Sequence, residues 1–215
     1  MNEKSEESAQ YLRCCSNIEI EAFRLYEKLS KKINNPESSF ILGFAYDSLK
    51  CSKIIQGLLQ TFDQTETENL NCKKNLLALL DEVSAFSKII SKINNIDYQS
   101  FCEILNELII LEDLLSEVYT NFLQSSGPKI IADELSKLVI ADLSNLKKVF
   151  ETFVEDKEKH RGTIVEIIYS SEAKKADKLK HTTPMVKYQN PDTWIRQSTL
   201  HAFSNAPARH GNTEP

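Results

Sequence analysis

The chain has few residues that break helices. Its 215 residues include 5 glycines and 6 prolines, so few of them before residue 173 that each break stands out. Strand-like alternation is almost absent as well. The one β-prone window is residues 163–169, TIVEIIY, and its length does not separate a short strand from a helical turn. No apolar run reaches the roughly 18 residues that suggest a membrane span. GxSxG elbows and glycine-rich phosphate loops are missing, and Cys14-Cys15 has no histidine beside it, which leaves nucleophilic catalysis without support. The start, MNEKSEESAQ, is polar and acidic where a secretory signal needs a basic end followed by an apolar stretch. A cytoplasmic location is expected.

The five cysteines, at 14, 15, 51, 72 and 102, are an odd set without metal-type CxxC spacing. The reading is free thiols, buried or half-buried, in a reducing compartment. Apolar and charged fractions are 41% and 27%, near the globular average, which argues against disorder over most of the chain. Net charge is −5 but unevenly placed: residues 173–215 carry seven basic side chains against three acidic ones, leaving 19 against 28 on residues 1–172. Nucleic-acid binding by so acidic a body is excluded, because phosphates need a basic face.

Apolar periodicity divides the body into five helical stretches. The first covers residues 8–33 and stops at Asn34, Asn35 and Pro36, after which Ser38 or Ser39 is placed to cap the second, which runs to Phe62. A third carries Leu76, Leu77, Leu79, Leu80, Val83, Phe86, Ile90 and Ile93. The fourth occupies residues 98–123 and ends at the stop signal SSGP, residues 125–128. The fifth starts near Lys129, carries Ile131, Leu135, Leu146, Phe150 and Phe153, and is expected to fray in the charged run 155–161. Short links after the first and fourth helices make two antiparallel hairpins, and the third stretch is long enough to return the chain along the body. The expected fold is all-α, a four-helix bundle with one long helical crossover, over residues 1–172. Residues 173–215 read as an extended C-terminal tail.

The opening helix of each hairpin has a seam of alternating three- and four-residue spacing. The first is Leu12, Cys15, Glu19, Ala22, Tyr26, Leu29 and Ile33. The other is Phe101, Leu105, Leu108, Glu112, Leu115, Tyr119 and Phe122. Each places a glutamate in an apolar stripe with a tyrosine seven residues later.

Here the chain resembles the ferritin-like superfamily, particularly its rubrerythrin-type branch, over about residues 8–158, through its topology and the segments EIEAFRLY and EDLLSEVY. In that family two helices each supply a glutamate to a di-iron centre and the other two each supply a Glu-x-x-His pair. The resemblance implies that Glu19 and Glu112 are the single glutamates. It also implies that Tyr26 and Tyr119 hydrogen-bond across the core, each to the carboxylate of the opposite helix. The paired ligands do not match. Ser48 and Cys51, or Asp47 and Lys50, stand in the second helix, and Asp142 and Asn145, or Ser144 and Lys147, in the last; the first histidine is His160.

Two functions follow. The first is a non-catalytic ferritin-like bundle acting as a structural or interaction module, without cofactor, whose buried carboxylates find partners in tyrosine hydroxyls, Lys50 or Lys147, or become protonated. The alternative is a metal-binding ferritin-like protein, an oxidoreductase or metal store for iron or manganese, with Glu19, Asp47, Glu112 and Asp142 as an altered carboxylate site. In either case Tyr188, Trp194, Ile195 and Phe203 make the tail a docking segment for a homo-oligomer or another protein, since aromatic anchors between polar spacers suit an interface.

Overall fold

A computed structural model describes residues 3–33, 36–60, 72–94, 96–138 and 145–180, with the side chains of residues 138 and 173–180 outside the description. The described residues are all-helical: α1 (Glu3–Ser30), α2 (Glu37–Gln60), α3 (Lys74–Lys92), α4 (Tyr98–Gln124), α5 (Gly127–Leu138) and α6 (Leu146–Lys180). None of these helices is long and apolar enough to cross a membrane.

The breaks have local causes. Proline closes the α1–α2 link, and α2 begins directly after it at Glu37, with the Pro36 carbonyl accepting from the Ser39 amide at 3.1 Å. Neither Ser38 nor Ser39 precedes the helix as a cap. Asp97 caps α4 by accepting from the Ser100 amide at 2.8 Å, which satisfies one of the first-turn donors. After α4, the Ser125 hydroxyl bonds back to the Phe122 carbonyl at 2.6 Å and accepts from the Gly127 amide at 3.0 Å. Gly127 sits so close to the Phe122 ring that a Cβ there would collide with it.

The expected fifth helix is two helices. α5 ends at Leu138, and α6 starts at Leu146 and runs without fraying through the charged segment to Lys180, past the expected start of the tail at 173. The charged run holds because it is amphipathic. Glu155, Glu158, Lys159 and Arg161 are exposed, while Lys157 and His160 turn inward on the seam that Phe150, Phe153, Ile164 and Ile167 continue. The window 163–169 is helical for the same reason.

Contacts across the core fix the directions. Ser16 meets Ser52 and Tyr26 meets Phe44, so α2 runs antiparallel to α1. Glu112 faces His160 and Phe122 faces Phe150, so α6 runs antiparallel to α4. Tyr11 stacks on Phe122 while Tyr26 reaches Glu112, so α4 also opposes α1. The buried core draws on all six helices, with Leu76, Leu79, Val83 and Ile90 of α3 and Ile131 and Leu135 of α5 joining side chains of α1, α2, α4 and α6. α3 lies along α1 in the same direction, with Glu7 near Lys73 and Lys28 donating to Ser87 at 3.0 Å. α5 packs against α1, α4 and α6.

One cysteine expectation is overturned. Cys14 and Cys72 form a disulfide, with Cα atoms 5.8 Å apart across a sequence separation of 58. Cys72 lies just before α3, and bringing that helix alongside α1 places the two thiols together. Cys15, Cys51 and Cys102 are free.

Candidate functional site

Every residue of the α1 and α4 seams is buried, Glu19 and Glu112 completely so. Ionised carboxylates in such surroundings are costly unless paired and hydrogen-bonded. The Tyr119 hydroxyl donates to Glu19 Oε1 at 2.9 Å, and the Tyr26 hydroxyl donates to Glu112 Oε1. The two glutamates are thus served by the tyrosine of the opposite helix.

The cation between them comes from α6. Lys157 is fully buried, and its Nζ donates to Glu19 Oε2 at 2.9 Å and to Ser48 Oγ at 3.2 Å. Burial works against the ammonium charge, but Glu19 and Glu112 outweigh it and hold the Lys157 pKa above its ordinary value. The effect is reciprocal at Glu112: burial pushes that carboxyl up, whereas Lys157, His160 and Tyr26 together bring it below its ordinary value. Lys50 and Lys147 do not take this part. Lys50 bridges Asp47 and Asp156 at 3.1 and 2.7 Å near the surface, and Lys147 pairs with Glu151 at 3.5 Å in the open.

His160, one helical turn beyond Lys157, connects the cluster to the exterior. Its Nε2 is 3.1 Å from Oδ2 of half-exposed Asp47, and its Nδ1 is 3.4 Å from Glu112 Oε1, within ion-pair range but without a hydrogen bond. Phe44 covers the imidazole with ring centroids 4.3 Å apart.

Both neighbouring thiols are quenched. Burial and the Glu19 charge raise the Cys15 pKa far above its ordinary value and push Cys51 up to about 12. A thiol held neutral is a poor nucleophile and a poor metal ligand. Burial and the adjacent carboxylates raise the Tyr26 and Tyr119 hydroxyls likewise, which keeps them as donors.

The ammonium of Lys157 holds Glu19 Oε2, Ser48 stands beside it, and Asp47 pairs with Lys50 and His160. Among the described residues no three His, Cys, Asp or Glu side chains are grouped to hold a metal ion. Asp142, and with it Tyr188, Trp194, Ile195 and Phe203 of the tail, lies outside the described residues.

Fold and site together define an all-helical protein whose core contains a buried carboxylate and ammonium cluster. No protein-family model matches the chain, and neither a curated protein nor a solved structure matches it.

Proposed function

We propose that the chain is a ferritin-like four-helix bundle in which Lys157 takes the part of the metal cation, and that it acts as a non-catalytic structural or interaction module with the C-terminal segment contributing to assembly. The observation that carries this reading is the fully buried Lys157 ammonium 2.9 Å from Glu19 Oε2. In the family pattern, each of two helices brings a glutamate and each of the other two a Glu-x-x-His pair. On these positions α1 and α4 keep the glutamates, α2 carries Ser48-x-x-Cys51, and α6 carries Lys157-x-x-His160. One histidine is kept, and a lysine stands where its glutamate would. A permanent ammonium compensates the carboxylates without any ion from solution.

The disulfide bears on location. A Cys14–Cys72 bond persists in an oxidising compartment and is short-lived in a reducing cytoplasm, so this reading favours the former over the location expected from thiol count.

Metal analysis tests the proposal. Protein purified after growth with added iron and manganese should contain neither in stoichiometric amount, and its thermal midpoint should not change on adding chelator or Mn2+. A near-stoichiometric metal, or a midpoint that rises with Mn2+, would overturn it in favour of the metal-binding alternative.

A further inference from the structure

Away from the core cluster, α3 and α4 diverge around a groove of about 140 Å³. Phe86 and Ile89 of α3 and Leu111 and Leu114 of α4 line it, and Ile89 is 56% exposed. Two carboxylates, Glu82 and Glu107, stand among these apolar walls. Burial raises the pKa of both. The Glu107 Oε2 atom is buried without a hydrogen-bond partner. An apolar trough with two uncompensated carboxylates is complementary to a segment that brings a large apolar side chain next to a cation.

The chain has such a segment. Trp194, Ile195 and Arg196 are consecutive, and residues 181–215 carry three basic side chains, Lys187, Arg196 and Arg209, against two acidic ones, Asp192 and Glu214, while the body is acidic. A guanidinium presents a planar fork that suits a carboxylate, and tryptophan and arginine are both enriched among interface anchors. We infer that the groove between α3 and α4 receives the C-terminal segment, residues 181–215, of a second copy of this chain.

The direction in which the chain leaves the body favours a second copy over the segment's own groove. Glu172 lies close enough to Tyr98, the first residue of α4, to affect its hydroxyl. Because α6 opposes α4, the rest of α6 to Lys180 projects roughly 12 Å beyond that end at 1.5 Å per residue. The chain therefore leaves the body heading away from its own groove. Residues 181–215 span up to ~115 Å when extended, enough to reach a neighbour. Copies of an acidic body repel one another, and Arg196 seated beside the groove carboxylates offsets part of that repulsion.

This inference rests on the assembly role proposed above and names its receiving surface. Light scattering on the full chain over a range of concentration and salt tests it, with circular dichroism as the folding control. The expected result is a mass above one chain that falls as salt rises. Trp194→Ala, Arg196→Glu and Ile89→Glu should each weaken association by about tenfold or more, in the range of an interface anchor. Should Ile89→Glu disturb folding, Ala85→Glu on the exposed groove wall replaces it. Arg196→Glu combined with Glu107→Arg should recover most of the loss, which no effect on folding alone would do. A mass of one chain at every concentration, or assembly indifferent to all the tail substitutions, would sink both the groove and the assembly role. Assembly lost with Trp194→Ala but unmoved by Ile89→Glu, Ala85→Glu and Glu107→Arg would overturn the groove alone.

Discussion

Two pairs of glutamates sit in apolar surroundings here, and their fates differ. Glu19 and Glu112 are completely buried in the core; Glu82 and Glu107 stand half-buried between α3 and α4. In the core, α6 supplies an ammonium and the opposite helices supply tyrosine hydroxyls. In the groove, burial alone acts on the carboxyls. The difference teaches that a carboxylate can be enclosed where a cation is enclosed with it. Where no cation is at hand the carboxyls stay half-buried, on the wall of a groove that another chain can enter.

The sharpest way to break the comparison is to remove the core cation. Lys157→Met keeps the side-chain volume and leaves Glu19 buried without its ammonium, which should cost about 3–5 kcal/mol, read from urea unfolding. Adding Glu19→Gln, which still accepts from Tyr119, should recover most of that loss. If the double variant is no better than the single one, the effect of Lys157 is packing and the electrostatic account is wrong.

The disulfide comes next, because it fixes the helix that forms one wall of the groove. A sequence separation of 58 makes loop closure worth about 2–4 kcal/mol. Reduction, or Cys72→Ser, should lower the unfolding midpoint in keeping with that. Hydrogen exchange should rise in α3 first, with α1 and α4 still protected. Equal loss of protection in all three would mean that the groove wall and the core are one cooperative unit.

Within the core cluster, Tyr26→Phe and Tyr119→Phe should each cost about 1.5–3 kcal/mol, the range for a hydrogen bond to a charged partner. Tyr26→Phe should be the larger. Glu112 Oε2 has no partner and its Lys157 interaction is through the field alone, whereas Glu19 retains its direct bond to Lys157. Thermal melts of the two variants compare them; the reverse order would show that the field of Lys157 alone suffices at Glu112.

Much of this was legible in sequence. The seven-residue interval from glutamate to tyrosine, present on both opening helices, is enough to set Glu19 against Tyr119 and Glu112 against Tyr26 once those helices run antiparallel. The cation was also legible, in principle. Leu146, Phe150, Phe153, Lys157, His160, Ile164, Ile167 and Ser171 alternate spacings of four and three, and all are buried. A charged run such as 155–161 resembles a fraying helix end, which hides the continuation of that seam through Lys157 and His160. A buried charge within a charged segment looks like an exposed one until its partner on another helix is known. The Cys14–Cys72 bond was hidden for a similar reason, since local spacing carries no trace of a contact 58 residues apart. The groove depends on how far two helices diverge, which periodicity does not encode.

The smallest effect is the most specific, because Glu112 and the groove pair should respond to pH with opposite sign. Glu112 has a folded pKa below its ordinary value of 4.5. Its ionised form is favoured by folding, so its contribution is complete above 4.5 and is lost as pH falls through the folded value. Glu82 and Glu107 have folded pKa values above 4.5. Their ionised forms are disfavoured by folding, so stability is fully present below 4.5 and declines as pH rises through the folded values. Replacing both groove residues by glutamine removes that decline. The Glu82→Gln/Glu107→Gln variant should match the parent near pH 4 and exceed it modestly at pH 7, with a difference that grows from pH 4.5 upward. Glu112→Gln should instead flatten the acid limb below 4.5 while lowering stability at pH 7. Urea midpoints measured from pH 3.5 to 8 on both variants decide it, at low protein concentration so that assembly does not add to stability. A groove variant that loses stability at pH 7 would show that Glu82 and Glu107 are already compensated, and the contrast between the two pairs would be gone.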